Sequence, residues 1–214
     1  MKTRAPRDPE GVVLVLHGGA SRADRPSVSP SQPSVLRMIP VAQRIAHVGR
    51  GRLAVFRLLN SARGWDDRHT PVDDVSWAMG QVRERYGAVP VSLVGHSLGG
   101  RAALLAGAAD GVRSVVALNP WLYPSDTSDL TDRQVLIVHG TEDRVAPIAR
   151  ARVVADRLAR TTRVAFLEVP GGKHAMLRHG RRFDSYAAEF AAATLLGPER
   201  VRMSPTVAAA VSAV

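Results

Sequence analysis

A serine, an aspartate and a histidine stand far apart in this chain, each in a short polar or glycine-rich segment behind an apolar run. Ser97 sits in Gly95-His96-Ser97-Leu98-Gly99-Gly100, after the run 91–94. Asp143 closes His139-Gly140-Thr141-Glu142-Asp143, with Pro147 four residues on. His174 closes Pro170-Gly171-Gly172-Lys173-His174. A serine hydroxyl is a weak nucleophile until a base accepts its proton. Imidazole suits that role near neutral pH, and a carboxylate behind it can hold the ring. The glycines around Ser97 fit a sharp strand-to-helix turn, because a Cβ two residues either side of the serine would crowd it.

Each candidate also has a plainer structural reading. Ser97 is also a suitable helix N-cap, Asp143 a loop or cap residue, and His174 a surface histidine. The rival acids are Glu142, Asp126 and Asp129, and the nearest rival base is His179. His17, His96 and His139 read as structural histidines around turns.

Something must bring these residues together. Apolar runs at 12–16, 53–58, 91–94, 112–118, 135–138 and 164–169 have strand length and are rich in Val and Leu. Continuous rather than alternating apolarity marks strands buried on both faces. Helical patterns fall between them at 35–47, 71–86, 98–109, 147–159 and 183–195, two of them opening on Pro71 and Pro147. This alternation predicts a single α/β domain: a mostly parallel sheet of about six strands with helices on both faces. The strand ends then share one edge, and Ser97, Asp143 and His174 converge there. Residues 1–196 form the expected domain. Residues 21–34, rich in Ser, Pro and Arg, read as a loop insertion beside that edge. Residues 197–214 read as a C-terminal tail, either disordered or docked as a turn of helix.

The order Ser, Asp, His, together with the His17-Gly18-Gly19 turn, the Gly95 to Gly100 elbow, the His139 to Pro147 segment and Gly172-Lys173-His174, resembles the α/β-hydrolases. The nearest likeness is to their small, capless esterase and dienelactone-hydrolase-like members, and it runs from about residue 12 to 196. The resemblance implies a catalytic triad of Ser97, His174 and Asp143. It also implies an oxyanion hole made by the backbone N–H groups of Leu98 and Gly19. The expected reaction is hydrolysis of small carboxylic esters, or of thioesters or lactones, through an acyl-enzyme; a non-catalytic small-molecule binding protein on the same fold is the alternative. Residues 119–133 are too few for a helical cap, so an open site is expected. Trp121, Tyr123, Trp65 and Met176 are the expected substrate-binding walls. Arg63 is the cation expected near the rim, with Asp66 and Asp67 as competing partners.

Composition narrows the remaining choices. The formal charge is +10 and almost all arginine, since Lys2 and Lys173 are the only lysines. No long basic block occurs and aromatics make up 5%, which argues against a nucleic-acid groove. The partner expected is a small acyl substrate; oligomeric state is left open. The chain has no cysteine, so disulfides and thiolate chemistry are excluded. Neither a metalloprotease His pair nor a dinucleotide or phosphate-binding glycine motif occurs, so no metal and no cofactor is expected. No run of 18 apolar residues is present, and the charged first ten residues lack a signal-like apolar stretch, so a cytoplasmic protein is expected.

Overall fold

The valine-rich runs form six strands that all pair in parallel in a computed structural model, which describes residues 5–19, 27–65 and 69–214. In chain order the elements are β1 (Gly11–Leu16), α1 (Pro33–Leu36), α2 (Met38–Gly49), β2 (Leu53–Leu58), α3 (Thr70–Tyr86) and β3 (Val91–His96). They continue as α4 (Leu98–Ala106), β4 (Val112–Leu118), β5 (Gln134–Gly140), α5 (Ile148–Leu158), β6 (Arg163–Val169), α6 (Gly180–Leu196) and α7 (Pro205–Ser212). The sheet order is β2-β1-β3-β4-β5-β6. The chain leaves β1 toward one edge and returns to build the other way, so a crevice opens between the carboxyl ends of β1 and β3. Open α/β sheets bind ligands at such a reversal.

Side chains alternate across β1. Val13 and Val15 pack with α2 and α6, while Val12, Leu14 and Leu16 pack with α3 and α4 on the opposite face. Each fully buried Val or Leu contributes about 1.5–3 kcal/mol of transfer free energy. Helices on both faces therefore hold the strand ends in fixed register. Between β4 and β5 lie only residues 119–133, with neither helix nor strand, so this single domain carries no cap there.

The structure decides two segments that matter beyond small shifts of element ends. The helix expected at 35–47 is split at Arg37 into α1 and α2, a break that matters for the site. Of the two readings of the C-terminal segment, the docked helix is the one that forms. The segment's Val207, Ala210 and Val214 are buried in the α2–α6 core. Pro205 opens α7, and Glu189 accepts bonds from both N and Oγ of Ser204 at 2.8 Å. The stripe of Val and Ala supplies enough apolar surface to dock. Among the described residues, no helix is long and apolar enough to cross a membrane.

Candidate active site

Ser97 occupies the turn between β3 and α4 with φ 56 and ψ −120, a conformation L-residues rarely adopt. Such a turn costs about 1–3 kcal/mol and persists because its surroundings over-determine it. Ser97 N donates to Leu118 O at 3.0 Å, and Ser97 O accepts from Arg101 N and Trp121 N, each at 3.1 Å. The flanking glycines are obligatory. A Cβ on Gly95 would lie 2.1 Å from Gly99 O, and one on Gly99 would lie 2.5 Å from Leu16 O. A Cβ on Gly18 would come within 2.9 Å of Ser97 Cβ, so β1's glycine turn is pressed against the serine.

His174 Nε2 lies 2.9 Å from Ser97 Oγ, and its Nδ1 lies 2.8 Å from Asp143 Oδ2. The second Asp143 oxygen accepts from Val145 N at 2.8 Å and Ala146 N at 2.9 Å. Burial by itself pushes the Asp143 carboxyl upward. The His174 bond and the two amides outweigh it and hold the group below the usual carboxylate range. An ionised Asp143 accepts from Nδ1–H, which leaves Nε2 free to accept the Ser97 proton. The Asp143 side chain is fully buried while His174 keeps 18% of its side chain exposed, enough for the ring edge to meet a ligand.

Three further residues hold the His174 loop. Asn119, itself at φ 42, donates from Nδ2 to the carbonyls of Lys173 and His174 at 3.1 and 3.2 Å. Its Oδ1 accepts from Gly140 N at 2.7 Å, linking the histidine loop to the segment that carries Asp143. His96 donates from Nε2 to His174 O at 2.8 Å, and the two rings lie 5.0 Å apart. Burial, then the neighbouring His174, pushes the His96 ring down to about 3, so it is a neutral donor. Arg37, in the break between α1 and α2, donates to Ala175 O at 3.0 Å, Met176 O at 3.3 Å and Asp184 Oδ1 at 3.0 Å. Burial raises the Asp184 carboxyl despite the facing arginine. His17 fits its structural reading: Nδ1 donates to Gly18 O at 2.6 Å and Nε2 accepts from Asn60 N at 3.2 Å.

Above Ser97 opens a cavity of about 880 Å³. Gly18, Gly19, His96, Leu98 and His174 form its floor beside Ser97, and Trp65, Trp121 and Tyr123 stand in its walls. Met176 does not. Its backbone at φ 55 and the grip of Arg37 on its carbonyl turn the side chain into the core, in the cluster with Met38 and Phe183. Ala175 and Leu177, its neighbours, reach the cavity instead. Arg63 is not part of the cavity wall, and Asp66 and Asp67 lie outside the described residues. Of the stretch 21–34, residues 21–26 lie outside the described residues, while Pro33 and Ser34 line the cavity. Among the rival groups, Asp126 pairs with Arg101 and Asp129 bonds Thr131. No cluster of ligating side chains suited to a metal occurs among the described residues.

Sequence reasoning overlooked Arg37 and Arg101. Arg101 had a readable signal. It interrupts Leu98-Gly99-Gly100-Arg101-Ala102-Ala103-Leu104, a helix with no polar face, and an arginine there must find a carboxylate. Arg37 had none, since its partners lie about 140 residues away.

The family model for the alpha/beta hydrolase fold matches residues 11–135. The chain belongs to this family. Solved structures of α/β-hydrolases share its fold at low sequence identity. One is an α/β serine hydrolase without a lid from Xanthomonas campestris, at 18% identity and TM-score 0.63, covering 95% of this chain and 88% of that one. Another is a putative α/β-hydrolase from Agrobacterium tumefaciens, at 15% identity and TM-score 0.67, covering 95% and 93%. A third is a hyperthermophilic esterase from Pyrobaculum calidifontis, at 15% identity and TM-score 0.64, covering 92% and 79%. No curated protein matches the chain.

Proposed function

We propose that this α/β-hydrolase cleaves small carboxylic esters, or the related thioesters and lactones, through an acyl-enzyme on Ser97. The observation that carries this reading is the unbroken line from Asp143 through His174 to Ser97 Oγ at the floor of a cavity with aromatic walls. Ser97 Oγ attacks the carbonyl carbon as its proton passes to His174 Nε2. Asp143 stabilises the imidazolium and holds its tautomer. The carbonyl oxygen becomes an oxyanion that the N–H groups of Leu98 and Gly19 receive. Leu98 opens α4, so its N–H has no intrahelical acceptor, and Gly19 lines the same cavity. Each such donor is worth about 3 kcal/mol in the transition state. The C–O bond then breaks, and His174 gives its proton to the departing alcohol. Water repeats the sequence on the acyl-enzyme, releasing the acid and restoring Ser97.

Hydrolysis of p-nitrophenyl butyrate tests the reading. Ser97→Ala is expected to lower kcat on the order of 10⁶-fold, and a fluorophosphonate is expected to label Ser97. Unchanged turnover in that variant, or labelling of another serine, refutes the assignment.

A further inference from the structure

One helical turn beyond Ser97, α4 carries a second buried polar group into the same cavity. The Arg101 side chain is 6% exposed and that of its partner Asp126 is 9% exposed. Nε and Nη2 of Arg101 donate to the two Asp126 oxygens at 2.8 and 2.7 Å. Asp126 Oδ2 also accepts from Tyr123 N at 2.8 Å. The guanidinium lies 4.1 Å from the Trp65 ring centre and 4.7 Å from that of Tyr123. Trp121 meets Tyr123 edge to face at 4.9 Å. A guanidinium bound side-on through Nε and Nη2 directs Nη1 away from the carboxylate. Nη1 makes no hydrogen bond among the described residues, and Arg101 lines the cavity with Ser97 and the three aromatic side chains.

We propose that Arg101 Nη1 is the polar anchor of a substrate subsite that takes an uncharged hydrogen-bond acceptor on an otherwise apolar or aromatic group. The proposal rests on the hydrolase reading above. Asp126 already cancels the arginine charge, so a substrate carboxylate would lose its hydration and meet a second anion. A ketone, ester or ether oxygen loses less hydration and gains a bond from a charged donor. The neighbouring rings of Trp65, Trp121 and Tyr123 suit a planar body.

The test uses two p-nitrophenyl esters of similar shape, of 3-(4-acetylphenyl)propanoic acid and 3-(4-isopropylphenyl)propanoic acid. Hydrophobicity alone favours the isopropyl compound. The subsite reverses this, and kcat/KM is expected to be about tenfold higher for the acetyl ester, carried mainly in KM. In the double variant Arg101→Met with Asp126→Asn, which removes both buried charges together, the ratio is expected to fall to about one or below. Should that variant not fold, Arg101→Lys serves, because one ammonium cannot keep the carboxylate and present a fixed second donor. Calorimetry of the two corresponding amides on Ser97→Ala reads the subsite without turnover. A wild-type ratio of one or less with equal amide affinities overturns the proposal, as does a ratio that survives in the variants. Tighter binding of the acetyl amide in a protein that hydrolyses neither these esters nor p-nitrophenyl butyrate overturns the hydrolase reading and leaves the subsite standing.

Discussion

The floor and the rim of the cavity are built on opposite terms. On the floor Ser97, His174 and Asp143 are each fixed by several hydrogen bonds or by a locked backbone. Asp143 receives two amides, His174 sits on a loop clamped by Asn119, His96 and Arg37, and Ser97 is locked in a strained turn. At the rim, Tyr123, Val145 and Leu177 present apolar surface to water, with 45, 59 and 80% of each residue exposed. Proton transfer along a chain of hydrogen bonds fails when an atom is misplaced by about 1 Å, so those atoms are over-determined. Recognition of an apolar group depends on surface covered, which exposed side chains provide without fixed positions.

Removing the orientation of the histidine tests this contrast most severely. Asp143→Asn leaves the oxygen that accepts from Val145 and Ala146 and turns an NH2 group toward His174 Nδ1. The ring must then carry its proton on Nε2, where it cannot accept from Ser97. A loss in kcat on the order of 10⁴-fold is expected, with KM little changed and circular dichroism intact. A loss under tenfold would mean that the floor does not need its fixed geometry.

The buried His96 sharpens the comparison through pH. Its folded-state value is pushed to about 3 from the ordinary 6.5, so below about pH 6.5 the unfolded chain takes up a proton that the folded chain refuses. Stability is therefore lost as pH falls from about 6.5 toward 3, by up to about 1.4 kcal/mol per pH unit. His96→Gln, whose amide nitrogen reaches the Nε2 position, keeps an N–H donor for the His174 carbonyl and cannot titrate. Urea unfolding at pH 7 and pH 5 is expected to show an acid-induced loss about 2 kcal/mol smaller in the variant. The lowered carboxyl of Asp143 contributes stability that is lost only as pH falls below its ordinary value of 3.8, beneath the pH 7 to 5 comparison. Equal losses in both proteins would remove His96 from the account.

Changes at the rim are expected to be smallest. Val145→Ser with Leu177→Ser should raise KM for p-nitrophenyl octanoate roughly fivefold, with stability within about 0.5 kcal/mol of wild type. A matching fall in kcat on the acetate ester would show that the rim also supports the floor.

Much of the floor was legible because it obeys local rules. Glycines at 95 and 99 declare a tight turn, and the order of Ser97, Asp143 and His174 follows the strands. The rim was legible only in part. Trp65, Trp121 and Tyr123 follow strand ends and stay near the cavity. Met176 was misread because a positive φ reverses the direction in which a side chain points, and nothing in Lys173-His174-Ala175-Met176-Leu177 announces that reversal. The last helix was undecided because an Ala and Val segment docks only where a complementary apolar surface waits for it.

The sequence by itself determined the parallel sheet and the serine turn, and it pointed to Asp143 and His174 at the ends of two further strands. Long valine runs have one stable environment, and glycine is the one residue that tolerates those close backbone approaches. Tertiary structure alone decided which charges are buried together. Arg37 with Asp184, and Arg101 with Asp126, pair across 147 and 25 residues of chain. A charge in sequence looks solvated, and only folding shows whether a carboxylate waits in the low-dielectric interior to receive it.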